Sequence, residues 1–165
     1  GDPMVRNRGT IGGSIANADP AADYPAAVVG LNATVNTNRR SIAADDFFVD
    51  VFETALDEGE LVVSVSFPIP SKACYQKFPN PASRYAVVGV MVAETASGVR
   101  VAVTGAGPSV FRAGDFEQAL AGNFAASALD GLSVSADNLN EDIHASAGYR
   151  ANLVSVMAKR AVAGC

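Results

Sequence analysis

The 165-residue chain has no tryptophan, one histidine and two cysteines, and each scarcity removes a kind of chemistry. Cys74 and Cys165 are isolated and form no Cys-x-x-Cys pair, so a zinc-ligand spacing is absent. Two thiols also fall short of the four that hold a typical iron–sulfur cluster. Reduced thiols and a cytoplasmic setting are the expectation for so few cysteines. The lone imidazole, His144, sits in a polar segment, where a surface or capping role is expected. A Ser-His-Asp triad would have to recruit it, and no G-x-S-x-G elbow accompanies it. Basic charge is short as well. Twelve Lys and Arg stand against 17 Asp and Glu, a net charge of -5, which argues against a broad nucleic-acid-binding face. No apolar run is long enough to span a bilayer. No secretory signal is visible. Neither standard phosphate fingerprint occurs: there is no G-x-x-x-x-G-K-[ST], and no G-x-G-x-x-G opening a helix.

A hydrophobic fraction of 49% with 18% charged residues describes a globular chain, of a length for one ordinary domain or two small ones. The local patterns read as α+β. Asp19-Pro20 is a helix-start signal, predicting a helix from Pro20 to Leu31. A short hairpin is expected over Ala33–Val35 and Arg40–Ile42. Arg39 and Arg40 lie in its turn, read as solvated charge. Asp45–Phe48 reads as a short helix or turn with buried aromatics, and Asp57-Glu58-Gly59 as a turn. In Leu61–Phe67, Val63, Val65 and Phe67 fall on one strand face. Prolines 68 and 70 then mark a boundary. Beyond it, Tyr85–Ala93 and Val99–Thr104 are apolar runs joined by a hairpin signal, and Val110–Arg112 is a third strand. Gly105-Ala106-Gly107-Pro108 reads as a strand exit, because Pro108 lacks an N–H. Asp115–Leu120 reads as helix. Ala145–Val162 carries a helical stripe of Tyr149, Leu153, Val156, Met157 and Arg160.

The stretch Arg6 to Pro25, RNRGTIGGSIANADPAADYP, carries the functional signal. Glycine lets a ligand come close to the main chain, and successive N–H groups in such a loop converge on anions. Thr10 and Ser14 add hydroxyl donors. Taken alone, the segment reads either as a phosphate cradle or as a plain tight turn.

The order of residues across this stretch resembles the second FAD-binding motif of the flavin subunit of molybdenum hydroxylases, the carbon monoxide dehydrogenase medium subunit and xanthine dehydrogenase flavin domain type. Further segments are similar to the same family: Glu60–Pro68, Tyr75-Gln76-Lys77-Phe78, Ala82–Val90 and Ala145–Leu153. The resemblance implies an α+β fold. Residues 1–71 would be the second lobe of an FAD-binding domain, and 72–165 a small C-terminal domain with a three-stranded antiparallel sheet and helices. It implies that Thr10, Ile11, Gly12, Gly13 and Ser14 hold the FAD pyrophosphate. It also implies that Asp23 contacts FAD, although Asp23 could instead simply favour a helix N-terminus. Val62 matches a position where backbone meets flavin. Lys77 matches a lysine near the cofactor, with an exposed strand-end cation as its alternative. Tyr85 matches a position beside the isoalloxazine ring, with a core tyrosine as its alternative. Many members carry Asn where Ser14 stands and His where Asn17 stands, and Ser14 shortens the reach of that contact.

The resemblance further implies a 2Fe–2S small subunit and a molybdenum-binding large subunit as partners, with electrons passing through FAD to an acceptor. Nothing here resembles the family's N-terminal lobe, so a truncated chain is expected. Such a piece would bind FAD weakly or not at all and would be prone to self-association. The alternative reading is a structural, partner-docking module without cofactor.

Overall fold

Three short helices open the chain, and two of them start on a side-chain cap. In the computed structural model, which describes residues 1–165, Asp2 accepts from the Val5 N–H ahead of α1 (Pro3–Arg8). Thr10 accepts from the Gly13 N–H ahead of α2 (Ile11–Asn17). Each cap satisfies a donor that the first helical turn leaves without a partner. The third helix, α3 (Tyr24–Gly30), begins four residues later than the Asp19-Pro20 signal predicts. Asp19 instead accepts from the Ala21 N–H at 2.9 Å, closing a tight turn. Pro25 falls in the first turn of α3, where its missing N–H costs nothing.

The chain continues through β1 (Thr34–Thr37), β2 (Ser41–Ala43), α4 (Ala44–Phe47), β3 (Phe48–Asp50), β4 (Glu53–Thr54) and β5 (Val62–Ser66). β2, β1 and β5 form a three-stranded antiparallel sheet with β1 in the centre, and β3 pairs with β4. Phe47 is buried, as the sequence predicts. The single face expected for Val63, Val65 and Phe67 is broken on β5 by a bulge. Thr37 pairs with Val62 and Asn36 with Ser64, so Val63 is the extra residue of a bulge. Val63 is 68% exposed, and Val62 and Val65 face the core in its place.

After Ser66 comes a second antiparallel sheet of β6 (Lys72–Pro79), β7 (Ala86–Thr95), β8 (Gly98–Thr104) and β9 (Phe111–Arg112), in that spatial order. It has four strands where three were expected. β6 pairs with β7 from Lys72↔Glu94 to Pro79↔Ala86. Its Cys, Tyr, Gln and Lys give a weaker strand pattern than the β-branched runs of β7 and β8. α5 (Gly114–Gly122), a 3₁₀ turn (Ala126–Leu129) and α6 (Ala147–Gly164) follow.

The helices after β9 cover one face of this sheet, where Val88, Val90, Val92, Val101 and Val103 pack with Phe116, Leu120, Leu153, Val154 and Met157. The other face belongs to the N-terminal half. Met91 and Ala102 join Ala26, Val28 and Val29 of α3 and Phe47 of α4 in a second core. β7 is therefore buried on both sides, which is why its sequence is one continuous apolar run.

On α6 the buried stripe is Leu153, Val154, Met157, Ala158 and Ala161. Tyr149 and Arg160 of the expected stripe are exposed, while Arg150 is only 4% exposed. Arg150 Nη1 donates to the carbonyls of Val87 (2.6 Å) and Gly105 (2.9 Å), and Nη2 donates to Asp142 at 2.7 Å. His144 is exposed, as expected. Arg40, read as solvated charge, is exposed, and it is paired as well. Its guanidinium forms a two-pronged bond to Glu60, at 3.1 Å from Nε and 3.0 Å from Nη2, and donates to the Ala55 carbonyl. The Glu60 side chain is fully buried, and it also accepts from the Thr37 hydroxyl at 2.6 Å and the Asp57 N–H at 2.9 Å.

Arg150→Met should destabilise the protein by roughly 3 kcal/mol, because two buried carbonyls and a carboxylate lose their donor together. Chemical denaturation checks this, and an unchanged midpoint would contradict it. The Arg40 hydrogen bonds, then the Asp57 N–H and the Thr37 hydroxyl, hold the Glu60 carboxyl down to about 2 from 4.5. A depressed acid contributes stability above its unfolded value and loses it as pH falls through the folded one. The stability gap between wild type and Glu60→Gln should therefore be full at neutral pH and shrink between about pH 4.5 and about pH 2. Thermal melts of both proteins across that range measure it.

Candidate functional site

The glycine segment is not an open loop; it is the first turn of α2. Thr10 Oγ1 takes the Gly13 N–H at 3.0 Å, and the Thr10 carbonyl takes the Ser14 N–H at 3.0 Å. Within α2, only the N–H groups of Ile11 and Gly12 have no partner in the chain. The donor set thus consists of two adjacent backbone N–H groups at a helix start, with the Ser14 hydroxyl beside them. That arrangement favours an anion or an oxygen-rich ligand.

Across from this turn, Asp23 stands at the N-terminal boundary of α3. It makes no side-chain cap bond there, and its place at the helix start is also the one the helix N-terminus alternative describes. Its Oδ1 accepts from the Tyr75 hydroxyl at 2.6 Å, and Lys77 Nζ donates to both oxygens at 3.0 and 2.8 Å. Lys77 also donates to the Arg84 carbonyl at 2.9 Å, just ahead of Tyr85. The strand-end cation is therefore half-buried and tied on two sides. Burial first, then the Asp23 charge, pushes the Tyr75 hydroxyl well above its usual range, so it remains a donor at neutral pH.

Thr10, Ser14, Asp23, Lys77 and Tyr85 line one cleft of about 540 Å³. Arg6 also lines it and forms no ion pair. Ile11, Gly12, Gly13 and Val62 are not among the cleft residues. Val62 lies beneath the turn, where a Cβ on Gly12 would sit 3.9 Å from its Cγ1. Tyr75 was missed in the sequence reading. The available signal was its place two residues before Lys77, on the same side of a strand.

A separate cavity of about 490 Å³, between Pro108, Phe111, Phe116 and Leu139, contains none of the expected residues. Its Arg112 is already paired with Asp45 and Glu117. No group of three His, Cys, Asp or Glu side chains is placed to hold a metal ion. No helix is long and apolar enough to cross a membrane.

The α+β fold thus presents a cleft between a helix start and a carboxylate–lysine pair. Residues 1–70 match the family model described as FAD binding domain in molybdopterin dehydrogenase, and residues 73–164 match CO dehydrogenase flavoprotein C-terminal domain. The chain is 35% identical to the glyceraldehyde dehydrogenase medium chain of Sulfolobus acidocaldarius, covering 98% of this chain and 63% of that one. It is 35% identical to the nicotine 6-hydroxylase medium subunit of Paenarthrobacter nicotinovorans, covering 97% and 62%. It superposes on the reconstituted CO dehydrogenase from Oligotropha carboxidovorans with a TM-score of 0.86 at 28% identity, over 98% of this chain and 62% of that one. The chain belongs to the FAD-binding medium-subunit family of molybdenum hydroxylases. It spans less than two thirds of the length of these relatives.

Thr10→Val removes the α2 cap and should cost about 1 kcal/mol, while Thr10→Ser keeps it. A Cβ on Gly13 would meet Thr10 Oγ1 at 3.0 Å, so Gly13 substitutions disturb the same cap. Gly12→Ala makes only ordinary contact with Val62 and should fold normally. Thr10→Val and Gly13→Ala should melt below wild type, and Thr10→Ser and Gly12→Ala close to it; equal values for Thr10→Val and Thr10→Ser would dismiss the cap.

Proposed function

We propose that residues 1–71 are the second lobe of an FAD-binding domain and 72–165 the C-terminal domain of the flavoprotein subunit of a molybdenum-hydroxylase-type oxidoreductase. The observation that carries this is the convergence of Thr10, Ser14, Asp23, Lys77 and Tyr85 on one cleft beside two unpartnered N–H groups. These residues fit FAD. Ile11, Gly12 and Ser14 offer donors for pyrophosphate oxygens without a lysine, and Gly12 and Gly13 keep that approach free of side chains. Asp23 offers a carboxylate for hydroxyl or N–H groups. Tyr85 lines the cleft, and Val62 supports the turn from below.

When bound, FAD supplies the redox chemistry, relaying electrons from iron–sulfur clusters to an external acceptor. The chain's own residues bind and orient it. None is needed as a general base or nucleophile. In this reading the partners are a molybdenum-binding large subunit and a 2Fe–2S small subunit in the cytoplasm, and the substrate is selected in the large subunit. The names of the relatives, which act on glyceraldehyde, nicotine or carbon monoxide, leave the substrate open. A docking role is favoured by one observation: Leu61, Val63 and Ile69 are 66%, 68% and 96% exposed. That apolar surface suits a neighbouring lobe, a partner subunit or self-association.

FAD titrated into this chain, followed by flavin fluorescence, should bind weakly, because one lobe supplies only part of the contact. The complete subunit should bind it stoichiometrically, and Gly12→Val should lower its FAD content. Tight binding by this chain alone would overturn the split-site account. A complete subunit without FAD would favour the docking role.

A further inference from the structure

We propose that Tyr75, seated in a slot left by Gly89, is a positioning residue that fixes the Asp23 carboxylate toward the cofactor. The inference rests on the reading of Asp23 as a cofactor contact. Three observations carry it.

First, β7 is an apolar, β-branched strand with one glycine in its middle, which weakens a strand unless something needs the space. The Tyr75 ring needs it. A Cβ on Gly89 would overlap the Tyr75 hydroxyl and lie 2.8 Å from its Cζ and 2.9 Å from Thr104 Cγ2. The ring thus crosses from β6 over β7 toward the start of α3.

Second, the hydroxyl ends on Asp23 Oδ1 at 2.6 Å. Tyr75 and Lys77 are two residues apart on β6, so they share a face, and both reach the same carboxylate. The ammonium spans both oxygens, whereas the hydroxyl touches only Oδ1 and so selects one orientation of the group. Asp23 remains about a third exposed, which leaves capacity for a ligand.

Third, the backbone ahead of Asp23 is held by the same sheet. Thr104 Oγ1 lies 2.8 Å from the Pro20 carbonyl and 2.7 Å from that of Ala22. The Gly105 N–H donates to Pro20 at 2.7 Å, and the Ala86 N–H donates to Ala21 at 3.2 Å. The C-terminal sheet therefore fixes both the main chain and the side chain of Asp23.

The test is a double-mutant cycle on FAD affinity in the complete subunit, with melting temperature read alongside. Asp23→Asn and Tyr75→Phe should each weaken FAD binding about tenfold, and the double variant should be no weaker than Asp23→Asn alone. Gly89→Ala, which displaces the ring but keeps the hydroxyl, should lower affinity similarly and stands in if Tyr75→Phe fails to fold. Two outcomes overturn the inference while leaving the Asp23 contact intact: normal affinity in Tyr75→Phe, or losses that multiply in the double variant. Normal affinity in Asp23→Asn would remove the contact itself, and the inference with it.

Discussion

The structure depends on cover for both faces of one sheet. β7 and β8 have no polar side to offer solvent along most of their length, so each face must meet an apolar layer. α5 and α6 supply one layer from the C-terminal half. α3 supplies the other from the N-terminal half, through Ala26, Val28 and Val29 against Met91 and Ala102. Burying these groups is worth about 25 cal/mol per Å² of apolar surface, the largest favourable contribution available to a chain of this size. The consequence for the site is direct. Seating α3 on the sheet brings its N-terminal end, and Asp23 with it, over the β6 edge that carries Tyr75 and Lys77.

Charged groups then fix what apolar packing leaves adjustable. Arg100, almost fully buried, donates from Nε to the Val29 carbonyl at 2.8 Å and pairs with Asp45. A cation at that point satisfies a carbonyl at the C-terminal end of α3 and suits the helix dipole there. Arg112 ties Asp45 to Glu117 of α5, and Glu117 in turn accepts the Val101 N–H. Arg150 performs a similar service for the turns at Val87 and Gly105, with its Nε left without a partner. Removing one member of such a set is costly because the remaining partners stay buried. Their value here is in register: each guanidinium ties together segments far apart in the chain.

Much of this was legible in the sequence, and the misses have physical causes. The β7 and β8 runs, the Gly105 exit, the α5 helix and the buried Phe47 follow from local pattern, and each appears where expected. β6 was missed because its alternation is carried by Tyr, Gln and Lys, whose burial depends on what lies across the sheet. Val63 does not share a face with Val65 because a bulge at Val63 breaks the alternation, and nothing in Leu61–Phe67 announces it. Asp19-Pro20 signals a helix start, but the turn it makes is captured by Thr104 and Gly105, more than 80 residues away. Arg150 was unreadable as a core element because a charge is buried only when tertiary partners exist for it.

The site shows the same division between local and distant information. Thr10 and the two glycines could be recognised because capping and close approach are properties of neighbouring residues. Asp23, Lys77 and Tyr85 could be placed only through resemblance to a family. Their meeting requires α3 to lie across β6 and β7, a contact spanning more than 50 residues. Gly89 joins the two kinds of information. Within its own strand it is a defect, since the flanking Val and Met residues would pair better with a side chain between them. Against Tyr75 it is a requirement, because the ring occupies the volume that any Cβ would take. A residue that weakens its own element usually answers a demand from elsewhere in the fold. Here the demand comes from the tyrosine that holds the carboxylate of the cleft.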